Sequence, residues 1–260
     1  MHGERYLRIY EVCMSIEQWD VFFETLSTPF YREFVLRGLF ITLKIAFLGF
    51  ILGVFLGTIL ALIQVAYNKN VIVKILDKIC KAYVALFRGT PMVVQLLIAY
   101  YVLLPLMSVG NVNSETVGII VFGMNSAAYV SEIMRGGINS VDSGQLEAGR
   151  ALGLGYTITM IKIVIPQAFK NILPTLGNEL ITLVKETSVL SFIVVSDLYT
   201  SLKTLGKEIY NLTPPYIFMA AIYIIIVFII TLIIRAVEKA LAKSDKRSGA
   251  TAKIKAVKKI

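Results

Sequence analysis

The sequence predicts an all-α, polytopic membrane protein, with about five transmembrane helices and one short extra helix between two of them. Three observations point there: an excess of apolar residues, uncharged runs of bilayer length, and basic residues gathered in alternate connections. The 260 residues are 57% hydrophobic, with a mean hydropathy of +0.74, whereas soluble domains hold about 45–50% apolar residues. A soluble core of this size cannot absorb so much uninterrupted apolar sequence.

A bilayer core of about 30 Å needs roughly 20 apolar helical residues. Residues 45–63, 91–109 and 212–234 meet or approach this without a charge, and 116–131 is shorter but also uncharged. The run 173–196 carries Glu179, Lys185 and Glu186 yet is otherwise apolar, and it makes the fifth span. Residues 71–87 alternate basic and apolar side chains, a pattern expected at the inner membrane interface. Residues 1–34 hold Trp19, Phe22, Phe23 and Phe30 among acids, and are expected outside, in part as a surface helix. The first 33 residues show no apolar core of a cleavable signal, so the first span is expected to direct insertion itself.

Lys and Arg accumulate on the cytoplasmic side of membrane proteins. With the N-terminus outside, segments 68–90, 132–172 and 235–260 face inward and carry 18 basic residues. The outer segments 1–34, 110–115 and 197–211 carry 5. The expected topology is therefore N-terminus out and C-terminus in. The net charge of +9 follows from that topology, and the basic tail 240–260 adjoins a span instead of serving a nucleic acid.

Several chemistries drop out. Cys13 and Cys80 lie in unlike contexts, which fits two unpaired thiols better than a disulfide or metal site. His2 is the single histidine and sits at a terminus, leaving no histidine-centred catalysis or metal binding. No catalytic residue is assigned. A phosphate loop requires G-x-x-x-x-G-K-[ST]; the lone Gly206-Lys207 pair is followed by Glu208 and has Ser201 where the first glycine belongs. The chain is not expected to bind or hydrolyse ATP.

The connection between the third and fourth spans breaks the apolar pattern. Asp142 precedes Gln145 by three positions, a variant of the capping box that starts a helix. Gly153 suits a left-handed helix end, Gly155 adds a second bend, and Pro166 fits the start or a kink of the next helix. Ala148, Gly149 and Ala151 leave part of the short helix bare, open to close approach by another surface.

Glu147-Ala148-Gly149, Gly153 four residues later and Ile163-Val164-Ile165-Pro166 beyond it resemble the EAA loop of bacterial ABC importer permeases. Gly149 stands where that pattern has Ala, and Ile165 where it has Leu. Phe87-Arg88-Gly89-Thr90-Pro91, Ala128 to Gly137, and Lys185-Glu186-Thr187-Ser188 resemble motifs of the branch importing polar amino acids. The resemblance runs from about Arg37 to Glu238 and implies a type-1 permease domain over 35–239. It implies that the loop helix docks in a groove of a separate ATPase subunit, itself a dimer that binds the ATP and magnesium. Gln145, Glu147, Ala148, Gly149, Arg150, Leu152 and Gly153 would form the coupling element: Glu147 a charge at the interface, Ala148 and Gly149 the close approach, Gly153 the turn. The implied partners are that ATPase, a second permease copy or paralogue, an extracytoplasmic solute-binding protein and the amino-acid substrate. A stand-alone secondary transporter or channel is the alternative, although no internal repeat is visible at the level of residues.

A lysine at mid-membrane costs about 2.5–3.5 kcal/mol on insertion scales, so Lys185 and Glu186 are expected to face protein or water. Adjacent helical residues point about 100° apart, which leaves these two poorly placed to pair with each other. With Arg88, Thr90, Asn125, Thr187 and Ser188 they make a candidate substrate pathway, or else structural polar contacts within the membrane. Glu132 and Arg135, three apart, share a helix face and read as loop anchors. Gly49, Gly53, Gly57 and Ala61 recur every four residues, a stripe for close helix packing within the subunit or between permeases.

Overall fold

A computed structural model describes residues 16–66, 70–107 and 112–257, with side chains described to residue 241. His2 and Cys13 lie outside the described residues. Every regular element among the described residues is helical. They are α1 over 16–27, α2 Pro29–Val65, α3 Val71–Gly89, α4 Met92–Leu97, α5 Leu104–Leu106, α6 Ser114–Asn139, α7 Ser143–Ala151, α8 Tyr156–Thr159, α9 Ile165–Glu186, α10 Leu198–Glu208 and α11 Thr213–Val257. A π-helical turn, Ile98–Leu103, joins α4 to α5; a second, Met160–Val164, joins α8 to α9.

Among the described residues, three helices are long and apolar enough to cross a membrane: Pro29–Val65, Ser114–Asn139 and Thr213–Leu241. Val71–Gly89 with Met92–Leu106 makes a fourth if that bent pair is one span. The stretch expected at the inner membrane interface is one continuous helix, α3. Asn70 caps it by accepting from the Val73 N–H at 2.9 Å, and it buries Asp77, Cys80 and Val84. The charged fifth run divides between α9 and a 3₁₀ segment, Thr187–Ile193, that ends with Val194 in the left-handed region at φ 61°.

Two of the spans outrun their uncharged cores. α2 continues back through Lys44 and Arg37 to Pro29, and the Lys44 ammonium donates to Glu115 at 2.8 Å. α6 continues past Ser131 through Glu132 and Arg135, which bond each other. Pairing offsets the desolvation that would otherwise end an apolar helix at its first charge.

The chain forms two compact units, each drawn from three stretches of sequence. Among the described residues, one unit contains those up to Gly49, with Pro91–Phe122 and Leu183–Ile226. Its core joins Phe22 of α1 to Val35, Leu198, Leu202, Leu205 and Met219, with Trp19 and Phe218 against it. Phe22 is fully buried and stacks edge-on to Phe218 at 5.3 Å between ring centres. The expected surface helix in the N-terminal segment is therefore a docked helix whose aromatic face forms core.

The other unit contains Phe50–Thr90, Gly123–Thr182 and the chain from Val227. Its core is Val130, Ala168, Ile172 and Leu176, with Val54, Ile133 and Ile138 against it. A Cβ on Gly53 would meet the Ser126 side chain at 2.6 Å, and one on Gly57 would meet Val130 at 2.7 Å. These two glycines of the four-residue stripe thus pack on α6 of the same chain. By contrast α11 keeps only 6% of its apolar window buried, against 61% for α6. So exposed an apolar helix suits hydrocarbon as its solvent.

Candidate functional site

The loop helix α7 is fixed at both ends by local hydrogen bonds. Asp142 is the N-cap, its Oδ1 accepting from the Gly144 N–H at 2.8 Å. The partner half of the expected capping box is absent: the Gln145 side-chain oxygen instead accepts from Gln167 Nε2 of α9 at 3.3 Å. At the other end the Gly153 N–H donates to the Arg150 carbonyl at 2.9 Å, and the Leu154 N–H to the Gly149 carbonyl at 3.0 Å. With Gly153 at φ 79°, this is a Schellman closure, in which a side chain would be strained.

Gly149 faces inward. A Cβ there would lie 2.4 Å from Thr159 Cγ2 and 2.8 Å from its hydroxyl. Its bare face, expected to admit an outside surface, is already covered by α8 of the same chain, and Gly149 is the buried residue of α7. Two more ties hold the loop: Asn171 Nδ2 donates to Ser140 Oγ at 2.9 Å, and that hydroxyl donates to the Gly137 carbonyl at 2.7 Å. What α7 presents outward is Gln145, Glu147, Ala148 and Arg150, with Leu152 at 80% exposure just past its end.

The other candidate residues fall into two groups, one in each unit. In the second unit, Arg88 occupies the last turn of α3, its guanidinium 5.4 Å above the Tyr129 ring and 3.7 Å from Glu132 Oε2. The same carboxylate oxygen accepts from Arg135 Nη2 at 2.5 Å. Asn125 Nδ2 donates to the Phe87 carbonyl at 3.4 Å, and Thr90 Oγ1 donates to the Leu86 carbonyl at 2.8 Å. Ser126 donates to Glu179 of α9 at 2.9 Å. Glu132 and Arg135, expected as a local pair, are joined by a third member from α3.

In the first unit, Lys185 and Glu186 end α9, with Thr187 and Ser188 opening the 3₁₀ segment. Lys185 is exposed and Glu186 half-buried. Thr187 is fully buried, its hydroxyl donating to the Val184 carbonyl at 2.8 Å.

Near them sequence reading overlooked a buried polar cluster. Asp197 caps α10, its Oδ1 accepting from the Thr200 N–H at 2.9 Å, while Thr42 Oγ1 accepts from the Leu198 N–H at 3.1 Å. Asp197 Oδ2, Thr200 Oγ1, Ser201 Oγ and Tyr223 OH are buried as well. Burial pushes the Asp197 carboxyl up from its ordinary range, against the pull of its bonds to Thr200. The available signal was Asp197 standing three residues before Thr200, a cap pattern in a connection with no apolar periodicity.

These features describe a membrane subunit with a rigid surface knob, a class defined by what it carries and not by a catalytic centre. Residues 49–243 match the family of binding-protein-dependent transport system inner membrane components, and the chain belongs to that family. It is 41% identical over 212 residues to the arginine transport system permease protein ArtQ of Bacillus subtilis strain 168, covering 82% of this chain and 94% of that one. It is 41% identical over 211 residues to the putative glutamine transport system permease protein GlnP of Rickettsia bellii, covering 81% and 94%. Among solved structures, an amino acid ABC transporter crystallised with histidines matches with TM-score 0.75 and 37% identity over 83% of this chain and 97% of that one. The MetNI methionine transporter, in an inward-facing form, shares the fold at TM-score 0.67 and 19% identity, covering 83% of this chain and 99% of that one.

Proposed function

We propose that the chain is the permease subunit of an ATP-driven ABC importer for polar amino acids, working beside a second permease, a copy or paralogue. The observation that carries this reading is α7: capped by Asp142, closed by Gly153, braced through Gly149, and joined by short links to α6 and α8. A capped helix held from behind moves as a unit with both elements it joins, so closure of a docked ATPase dimer is passed on as a rigid-body shift. Glu147, Ala148, Arg150 and Leu152 meet the ATPase; Gln145, Gly149 and Gly153 hold the knob in shape. The balance of basic residues puts α7 on the cytoplasmic side, where ATP is, with the N-terminus outside.

The relatives' names support the substrate class. They include permeases for arginine, for glutamine and, in the Bacillus subtilis protein TcyB, 36% identical over 78% of this chain and 85% of that one, for L-cystine. All three are amino acids with polar side chains. A solute-binding protein outside the membrane delivers the substrate. Two sets of residues, Lys185, Glu186, Thr187 and Ser188 in one unit and Arg88, Thr90 and Asn125 in the other, are each candidates for its polar contacts within the membrane.

The test is reconstitution of the chain in liposomes with the ATPase and solute-binding protein encoded beside it. A panel including arginine, glutamine and cystine is then assayed for stimulated ATP hydrolysis and uptake. At least one amino acid is expected to stimulate both. Uptake by the chain alone, without ATP, would overturn the reading in favour of a secondary transporter.

A further inference from the structure

Arg88 has two seats on α6, one helical turn apart. Tyr129 and Glu132 are three residues apart on one helix face; Arg88 lies over the ring of the first and 3.7 Å from the carboxylate of the second. The Glu132–Arg135 bond joins residues of the same helix and travels unchanged with any shift of α6. The Arg88 contact joins two elements, so it responds to such a shift. A longitudinal slide of about 1–2 Å, ordinary for helices in switching proteins, suffices to take the guanidinium out of ion-pair reach of Glu132 while leaving it on Tyr129.

The position of this contact gives it a use. Glu132 lies two turns above the end of α6 at Asn139, and only residues 140–142 separate that end from α7. Those residues are tied down by Ser140, which accepts from Asn171 and donates to Gly137. Arg88 lies in the last turn of α3, next to the Thr90–Pro91 interruption, where Pro91 has no N–H to continue the helix.

We propose that Glu132 is a positioning residue for transport: it latches Arg88, so that displacement of α7 passes through α6 to α3, and the latch opens by Arg88 moving from Glu132 onto Tyr129. The proposal rests on the permease reading and adds to it the element that responds to the docked partner.

The test uses the complete reconstituted transporter and compares wild type, Glu132→Gln, Arg88→Gln and the double variant. In each, ATP hydrolysed per amino acid imported is measured alongside recovery of the intact complex. Each single variant is expected to raise that ratio about tenfold, within the ordinary span of coupling between sites. The double variant is expected to do no more than either single, because both remove one contact. Arg88→Lys keeps the charge but not the planar fork, and carries the test if Glu132→Gln does not assemble. It is expected to raise the ratio about fivefold, at the low end of such couplings. Ratios at the wild-type value, or effects that multiply in the double variant, overturn the latch. A wild-type complex that neither hydrolyses nor imports in response to substrate defeats the permease reading instead.

Discussion

The α7 loop and the segment from Lys185 to Asp197 both interrupt long apolar sequence with polar residues, yet they are built by different rules. In the loop, shape follows from neighbours in the chain: Asp142 at one end, Gly153 at the other, both acting within three residues. In the segment, shape follows from distant partners. Thr42, 156 residues away, accepts the Leu198 N–H that would otherwise be orphaned at the start of α10. Local rules make a surface feature that survives exposure. Polar groups inside an apolar protein need partners that only the fold supplies. The first can be read from a window of sequence; the second cannot.

Substitutions in the loop sharpen this contrast and have the largest expected effects. Gly149→Val places carbons where Thr159 already sits, and overpacking of this kind costs about 1–3 kcal/mol. Uptake by the reconstituted complex is expected to fall more than tenfold, the factor that about 1.4 kcal/mol represents, while the permease still enters the membrane. Near-normal uptake would mean that bracing by α8 is dispensable. Gly153→Ala keeps the packing but sets a side chain at φ 79°, which costs about 1–2 kcal/mol. A several-fold loss of substrate-stimulated ATP hydrolysis is expected, smaller than that of Gly149→Val, with unstimulated hydrolysis preserved. The reverse ranking would say that the turn matters more than the brace.

The segment gives subtler effects. Glu186→Gln is expected to lower the maximal uptake rate while co-purification with the ATPase is retained; unchanged transport kinetics would remove Glu186 from the pathway. For Asp197 the sign depends on pH. Its carboxyl is raised in the folded protein, so its favourable contribution is complete below the unfolded carboxyl range and is lost as pH rises through the folded value. Asn is also a good N-cap and has no charge to desolvate beside Thr200, Ser201 and Tyr223. Asp197→Asn is therefore expected to raise the melting temperature of the detergent-solubilised protein by a few degrees at pH 8. That gain should vanish near pH 4, and a variant less stable at every pH would assign the carboxylate a partner of its own.

The division between legible and hidden runs through the whole molecule. Uncharged runs marked the three long apolar helices among the described residues, because hydrocarbon admits little else. Their ends were set too early, because Lys44 and Glu132 read as stops until Glu115 and Arg88 appear beside them. The π turns before Leu104 and Ile165 and the 3₁₀ segment after Glu186 have no period that a sequence window reports. At the loop the cap and the left-handed glycine were plain. Spacing marked Gly149 as small, but which way it faces depends on Thr159 and on how α8 folds back. Gly53 and Gly57 were marked as a stripe in the same manner, and only the fold assigns them to Ser126 and Val130.

The account stands most directly on what touches the outward side of α7. With Cys80 and Cys13 replaced, a cysteine at Ala148 or Arg150, both exposed, is treated with a short bifunctional thiol reagent in the assembled transporter. The expected product is a covalent adduct with the ATPase subunit whose yield changes between nucleotide-free and ATP-bound states. Efficient labelling of both cysteines with no adduct to the ATPase in either state would contradict the docking role of α7.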